Sequence, residues 1–370
     1  MRKGFTTGSC AAAASKAAAW MLLSGSEKNK IEITTPAGIV YKPDIEDITR
    51  TASFVKCAVR KDSGDDPDIT NGMRVYAKVS YAPDADERVI ITGGEGVGTV
   101  TRPGLDQSVG NAAINSVPRK MITEEVLQVA GVFDHEGGLK VEISVPGGEE
   151  IALKTFNPRL GIEGGISIIG TTGIVEPMST IALLDTIKVE LNQLKEMGAT
   201  VAVISPGNYG LDFMRDTYDF DLDRAVKCSN FIGDTIDMAA ELGFEKMLLC
   251  GHIGKLVKVS GGIMNTHSKE GDCRMELMAA AAARCGADNT VLNKILDCVA
   301  TEEAIEILVN ENIKDKCFEY ITDKISFYLN KRSAGRLKVE CMVYANAYGL
   351  LGKTENAENF IEEAKKETIK

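Results

Sequence analysis

The chain has 370 residues, with 53 Asp and Glu against 42 Lys and Arg, a formal net charge of -11, 44% hydrophobic and 26% charged residues. That length exceeds the ~100–200 residues usual for one domain, and the acidic balance argues against general binding to nucleic acid or to anionic membranes. Nine cysteines with no CxxC pair, and three scattered histidines (His135, His252, His267), fit reduced thiols in a cytosol and give no disulfide framework and no metal motif in the protein itself.

Met1–Gly25 imitates a signal peptide, with Arg2 and Lys3 ahead of alanines. Thr6, Thr7, Gly8 and Ser9 open it and Lys16 interrupts it, so it lacks an apolar h-region. No other run approaches the ~18 apolar residues of a membrane span. A cytoplasmic protein is expected. Gly4–Leu23 reads as a polar turn feeding an alanine-rich helix, capped by Thr7 or Ser9. A helix behind Thr6, Thr7 and Gly8 is either simply capped or an anion site built from its free N–H groups.

The period then changes to two. Strands are expected at 31–34, 39–42, 52–59, 73–81 and 89–92, the fourth having Met73, Val75, Ala77 and Val79 on one face. Residues 140–145 and 150–155 flank Pro146, Gly147 and Gly148 as a hairpin, and helices are expected near 110–115 and 123–130. The first half therefore reads as an α+β domain with a mostly antiparallel sheet, residues 1–155. Two loops interrupt it. Asp62–Asp68 (DSGDDPD) reads as a solvated turn, a divalent-cation loop or the seat of a general base, and Gly93–Leu105 misses the GxGxxG spacing of a dinucleotide site.

Beyond residue 155 the pattern is strand, glycine turn, helix. Gly165–Gly170 is a short apolar run that breaks at Gly170, Thr171, Thr172 and Gly173, followed by a helix from Ser179 to about Met197. Thr200–Ile204 ends in Ser205, Pro206, Gly207, Asn208, Tyr209 and Gly210. A helical pattern spans 222–242, and Lys246–Cys250 ends in Gly251, His252, Ile253, Gly254 and Lys255. Three parallel strands with right-handed crossovers would bring these loops to one sheet edge, where ligands of open α/β sheets bind. Residues 156–350 are thus expected to form a Rossmann-like α/β domain with a parallel sheet, with helices near 272–285 and 291–299, two more up to Tyr328, and a strand at 337–344 that returns to either sheet. Residues 351–370 read as a charged, solvated helical tail.

Several motifs together carry a resemblance. Gly4–Ala14 (GFTTGSCAAAA), Asp65–Gly72, Gly93–Val100 (GGEGVGTV), Ala113–Arg119, Asn157–Pro177, Pro206–Gly210, Ser229–Gly233 (SNFIG) and Gly251–Ser268 occur in an order that resembles the CbiD family of the anaerobic cobalamin pathway, over nearly the whole chain. The resemblance implies a C1-methyltransferase that takes its methyl group from S-adenosylmethionine and acts on cobalt-precorrin-5B to give cobalt-precorrin-6A. Cobalt then belongs to the substrate. The family's Thr-His-Gly after the acidic loop is here Thr70, Asn71, Gly72, and Ile263–Ser268 reads IMNTHS where an aromatic residue and a further histidine can occur.

A macrocycle bearing many carboxylates needs local cations. Arg102, Arg119, Arg159, Lys255 and Lys258 lie in or beside glycine-rich motifs, where each is also explicable as a surface charge. The methyl donor is assigned to Gly170, Thr171, Thr172, Gly173, Gly207 and Asn208. The macrocycle is assigned to Thr6, Thr7, Gly8, Arg159 and Lys255. Should electron supply at C1 require proton movement, His252, His267 and Asp66 are the candidates. Cys250 and His252 make at most half a metal site. Two other readings stand beside this one. A non-catalytic tetrapyrrole carrier would use the same loops and arginines, and a nucleotide-dependent phosphotransferase is suggested only by GHIGKL at 251–256, which fails the P-loop spacing. Homo-oligomerisation stays open.

Overall fold

A computed structural model describes residues 1–155, 157–177 and 179–367. The chain divides into two compact units, Met1–Thr180 and Ile181–Lys370. Both mix helices with sheets, and among the described residues no helix is long and apolar enough to cross a membrane.

In the first unit β1 (Gly4–Phe5) leads into α1 (Thr7–Ser24), and β2 (Ile33–Thr34) pairs with β3 (Val40–Tyr41). The main sheet uses β4 (Glu46–Arg50), β5 (Phe54–Arg60), β6 (Arg74–Tyr81) and β7 (Val89–Gly93). After β8 (Thr99–Val100) and α2 (Ser116–Val132), β9 (Leu139–Ser144) completes it in the order β4-β5-β6-β9-β7. Its pairings are antiparallel except β7 with β9. Alternation decides the register: Val55, Cys57 and Val59 on β5, with Val75, Ala77 and Val79 on β6, are buried toward the core. Against that face lies α1, whose Ala11–Ala14 and Ala17–Ala19 are fully buried. With only methyl groups on most of its surface, α1 fits between β5, β6 and α2; a Cβ on Gly8 would sit 2.8 Å from Pro118 Cγ.

Three local expectations fail here. Residues 150–155 are no hairpin strand; α3 (Gly148–Ala152) begins behind Gly147 at φ 82°, and Glu149 in its first turn accepts the Gly96 N–H at 2.7 Å. Helix 110–115 is absent, because Ala112 and Ile114 bridge to Thr99 and Ile168; α2 starts at Ser116, whose N–H and hydroxyl both bond Asp106. The apolar run 165–170 does not enter the parallel sheet. Ile166 and Ile168 bridge to Val97 and Ile114, while β10 (Ile162–Glu163) pairs with β8 and β11 (Ile174–Val175) with β1. These pairings keep residues 157–177 with the first unit, so the division falls after Thr180 and not near Thr155.

The second unit runs α4 (Thr180–Glu196), β12 (Val201–Ser205), α5 (Asn208–Tyr218), β13 (Ala225–Lys227), α6 (Ile232–Glu241), β14 (Lys246–His252) and α7 (Ile253–Val259). It continues with α8 (Arg274–Arg284), α9 (Asn289–Leu296), α10 (Thr301–Asn310), α11 (Lys314–Ser333), β15 (Lys338–Ala345), β16 (Gly349–Lys353) and α12 (Ala357–Lys366). The sheet order is β13-β12-β14-β15-β16, parallel except for β15 with β16. β13 breaks the single helix expected over 222–242. Val201–Ser205 are buried throughout, as suits strands covered on both faces. Ala202, Ile204, Met247 and Leu249 join one cluster with the larger helical layer, and Val201, Val203 and Leu248 join another with α5 and α12. The tail is therefore not a solvated helix: Ala357, Phe360, Ile361 and Ala364 are buried. Residues 368–370 of that tail lie outside the described residues.

Candidate functional site

Because β12, β14 and β15 run parallel, their carboxyl ends share one edge, and a cleft of about 400 Å³ opens there. Its walls are the loop after β12 (Ser205–Gly210), the turn from β14 into α7 (His252–Lys255), Tyr344 and Asn346 at the end of β15, and the start of α10. The β12 loop must stay close to the sheet. A Cβ on Gly210 would lie 2.1 Å from Ser205 Oγ and 2.8 Å from the Cys250 carbonyl, so only glycine lets α5 begin there. Gly207 is the N-cap of α5 and supplies no capping side chain.

His252 caps α7: its Nδ1 accepts the Gly254 N–H at 3.1 Å, while Nε2 lies 3.1 Å from Glu302 Oε1 without a well-directed hydrogen bond to it. Burial lowers the pKa of His252, and the Glu302 carboxylate opposes that shift only in part. A neutral ring that accepts at Nδ1 carries its hydrogen on Nε2, facing Glu302. Lys255 donates to the Pro206 carbonyl at 2.8 Å and the Ser229 carbonyl at 3.4 Å, with its pKa lowered by burial. Arg274 is taken up by Asp272 at 2.7 and 2.9 Å. Tyr344 is stacked on Phe213, with ring centroids 4.6 Å apart, and meets His252 edge-on.

Of the expected site residues, the structure gathers Gly207, His252 and Lys255 in this cleft, with Asn208 opening α5 beside it. His267 lies in the same unit but does not line the cleft; it is exposed, and its Nδ1 accepts the Lys269 N–H. Cys250 is fully buried, and burial raises its pKa strongly, the state of an inert thiol.

The remaining expected residues belong to the first unit. Thr6, rather than Thr7 or Ser9, caps α1, accepting the Ser9 N–H at 3.2 Å. Gly8 N–H donates to the Ile169 carbonyl and Ser9 Oγ to the Gly173 carbonyl, so the loop 169–173 already covers that helix start. Gly170, at φ 143°, leaves room for the cap: a Cβ there would lie 2.3 Å from Thr6 Oγ1. Thr171 and Thr172 are exposed. Arg159 is half-buried, and its carbonyl accepts from Arg102. Arg119 donates to the Ile114, Ile91 and Ala112 carbonyls.

The acidic loop has internal cations. Lys61, buried to 3% exposure, bonds Ser63, Thr70 and Asp68, and Arg2 holds Asp62 with its guanidinium and Asp65 with its backbone N–H. Although burial acts in the opposite direction, Lys61 and Thr70 hold the Asp68 pKa below the usual carboxylate value. Asp66 is half-buried in the same turn, its N–H on the Ser63 carbonyl. Among the described residues no three His, Cys, Asp or Glu side chains gather as a metal site.

Sequence reasoning placed Tyr209 in a ligand loop without giving it a role, and missed Tyr344, Glu302 and Arg274. Tyr344 had a signal, since a strand ending there reaches the same edge once it joins the parallel sheet. Glu302 and Arg274 had none, because α8 and α10 are brought to the cleft only by packing.

Known proteins extend this picture. The CbiD family model matches residues 1–177, and the model of the CbiD C-terminal domain matches residues 265–355. A protein of Ruminiclostridium cellulolyticum named cobalt-precorrin-5B C(1)-methyltransferase is 46% identical over 346 residues, covering 94% of this chain and 89% of that protein. One of the same name from Alkaliphilus metalliredigens is 45% identical over 370 residues, covering 100% of this chain and 97% of the relative. A 1.9 Å crystal structure of the cobalamin biosynthesis protein (cbiD) from Archaeoglobus fulgidus is 31% identical, covers 70% of this chain and 80% of that one, and has a TM-score of 0.38. With identity sustained across both units and both family models matched in order, the chain belongs to the CbiD family.

Proposed function

We propose that this chain transfers the methyl group of S-adenosylmethionine to C1 of cobalt-precorrin-5B, giving cobalt-precorrin-6A in anaerobic corrin synthesis, as a cytoplasmic enzyme without nucleic-acid or membrane partners. The observation that carries the reading is 45% identity along all 370 residues to a relative named for that reaction. The three parallel pairings with glycine turns at one edge support a Rossmann-like description of the second unit, and the cleft at that edge as the small-molecule site.

In such a transfer the C1–methyl bond forms as the sulfur–methyl bond breaks, and the sulfonium charge is lost. A strongly anionic lining around sulfur would favour the reactant over the transition state. The chain's main contribution is then to hold both reactants in line and exclude water. His252, with Nδ1 occupied by Gly254 N–H and Nε2 turned to Glu302, is assigned a positioning role in place of a proton-transfer one. Thr171 and Thr172 in the first unit are the alternative donor seat to this cleft, tested by Thr171→Val, and Thr7 and Arg159 are proposed macrocycle contacts, tested by Arg159→Met.

The test is anaerobic incubation of the purified protein with cobalt-precorrin-5B and S-adenosylmethionine labelled in its methyl group, followed by mass analysis. Label at C1 is the expected result. A macrocycle that binds but gains no label would sink the reading in favour of a carrier.

A further inference from the structure

The cleft of the second unit contains polar groups that the fold itself leaves unused. Tyr344 is 2% exposed, yet its hydroxyl has no hydrogen-bond partner among the described residues. Its ring is fixed by Phe213 on one side and His252 at its edge, so the hydroxyl has little freedom to find another partner. Leaving a buried hydroxyl unpaired is costly, and a bound ligand that accepts from it recovers that cost. Burial, with Cys250 and Asp212 adding to it, raises the phenol's pKa, so it remains a donor at neutral pH.

Lys255 points the same way. Two of its three ammonium hydrogens go to the Pro206 and Ser229 carbonyls, and among the described residues no carboxylate pairs with it. Gly207 contributes no side-chain cap, which leaves the opening N–H groups of the eleven-residue α5 available beside it. Opposite in charge, the Glu302 carboxylate lines the cleft with its side chain 41% exposed. At the rim, Tyr209 and Val299 are 68% and 81% exposed, an apolar surface suited to a larger attached group.

One unpaired cation, a helix start and a buried hydroxyl donor match a carboxylate, and one partly exposed carboxylate matches an ammonium. We propose that this cleft holds the α-amino-carboxylate end of the methyl donor, with its carboxylate on Lys255, the opening N–H groups of α5 and the Tyr344 hydroxyl, and its ammonium on Glu302. The inference rests on S-adenosylmethionine being the donor. It moves Lys255 from the macrocycle to the donor and makes Tyr344 and Glu302 specificity residues. A carboxylate could also come from a side chain of the macrocycle, so the test separates the two sources.

Titration calorimetry would compare S-adenosylhomocysteine with 5′-methylthioadenosine, which keeps the adenosine and thioether but lacks the amino-acid end. Tyr344→Phe, which retains the stacked ring, should weaken S-adenosylhomocysteine by roughly 10-fold or more, as for loss of a hydrogen bond to an ionised carboxylate. Lys255→Met should weaken it by roughly 10- to 100-fold, as for a charge-assisted contact. Glu302→Gln, on a partly exposed side chain that tolerates change, should also weaken it. All three should leave 5′-methylthioadenosine unchanged. Equal losses for both ligands, no loss for S-adenosylhomocysteine, or weakening confined to cobalt-precorrin-5B would overturn the proposal, the last assigning the carboxylate to the macrocycle. The labelled-methyl assay separates the two levels. No transfer by the wild-type chain defeats the methyltransferase reading, whereas normal transfer with an unchanged donor KM in Tyr344→Phe and Lys255→Met defeats only this one.

Discussion

His252 Nε2 lies 3.1 Å from Glu302 Oε1, while Nδ1 of the same ring accepts the Gly254 N–H at the start of α7. The ring thus ties the end of β14 to the opening of α10 and needs to stay neutral to keep its cap, since a protonated Nδ1 can no longer accept. Burial lowers its pKa from the ordinary 6.5. Below 6.5 the unfolded chain takes up a proton that the folded chain does not, so the contribution of His252 is intact above 6.5 and is lost as pH falls toward the folded value. Thermal melting between pH 7.5 and 5.5 should show the wild-type midpoint dropping more steeply than that of His252→Asn, a variant that keeps a capping side chain. Parallel curves would contradict this account.

Space alone requires glycine at position 210. Gly210→Ala places a methyl 2.1 Å from Ser205 Oγ and 2.8 Å from the Cys250 carbonyl, and should cost about 1–3 kcal/mol, as overpacking does. Adding Ser205→Ala should restore part of the loss, since one of the two obstacles is then removed. Urea unfolding would measure both; a neutral Gly210→Ala would show that α5 is free to shift.

Asp68 holds a lysine that has almost no water. Lys61 is 3% exposed, and Asp68→Asn leaves its charge with neutral oxygens alone, the hydroxyls of Ser63 and Thr70 and the new amide. Breaking one side of a buried pair typically costs about 3–5 kcal/mol, and the partial exposure of Asp68 places the expected loss near the lower bound. Because the Asp68 pKa is lowered from 3.8, the pair's contribution is present above that value and is lost as pH falls below it. Unfolding of Asp68→Asn and Lys61→Met at pH 7 should show both destabilised, and stability unaffected by Asp68→Asn would refute the arrangement.

α12 should behave as core. Ile361 is fully buried among the residues of β12 and β14, so Ile361→Ala should destabilise the second unit by about 2–5 kcal/mol. Removing residues 357–370 should prevent that unit from giving a cooperative transition, read by calorimetry. A truncated chain that melts normally would mean the helix is dispensable.

Much of this was legible locally. The alternation of β6, the alanine content of α1, the apolar run Val201–Ile204 of β12 and the glycine turns after β12 and β14 each express a period or a backbone requirement carried by adjacent residues. The motifs also placed Gly207, His252 and Lys255 at one sheet edge, and the CbiD resemblance was readable from their order along the chain. The tail misled for a local reason too: ENFIEEAKK is charged on average, but Phe360, Ile361 and Ala364 fall on one helical face.

What the sequence by itself determined, then, was the type of the strongly patterned elements, such as α1, β6 and β12, and which loops need glycine, because propensity and periodicity act over a few residues. Only the tertiary structure decided partners. Ile166 and Ile168 are as apolar as any strand of the parallel sheet, yet they bridge to Val97 and Ile114, and the glycine loop behind them covers the start of α1. Glu302 meets His252, and the Tyr344 hydroxyl is left without a partner among the described residues, through pairings and packing between residues far apart in the chain. Such contacts depend on how buried surfaces fit one another, which no local pattern records.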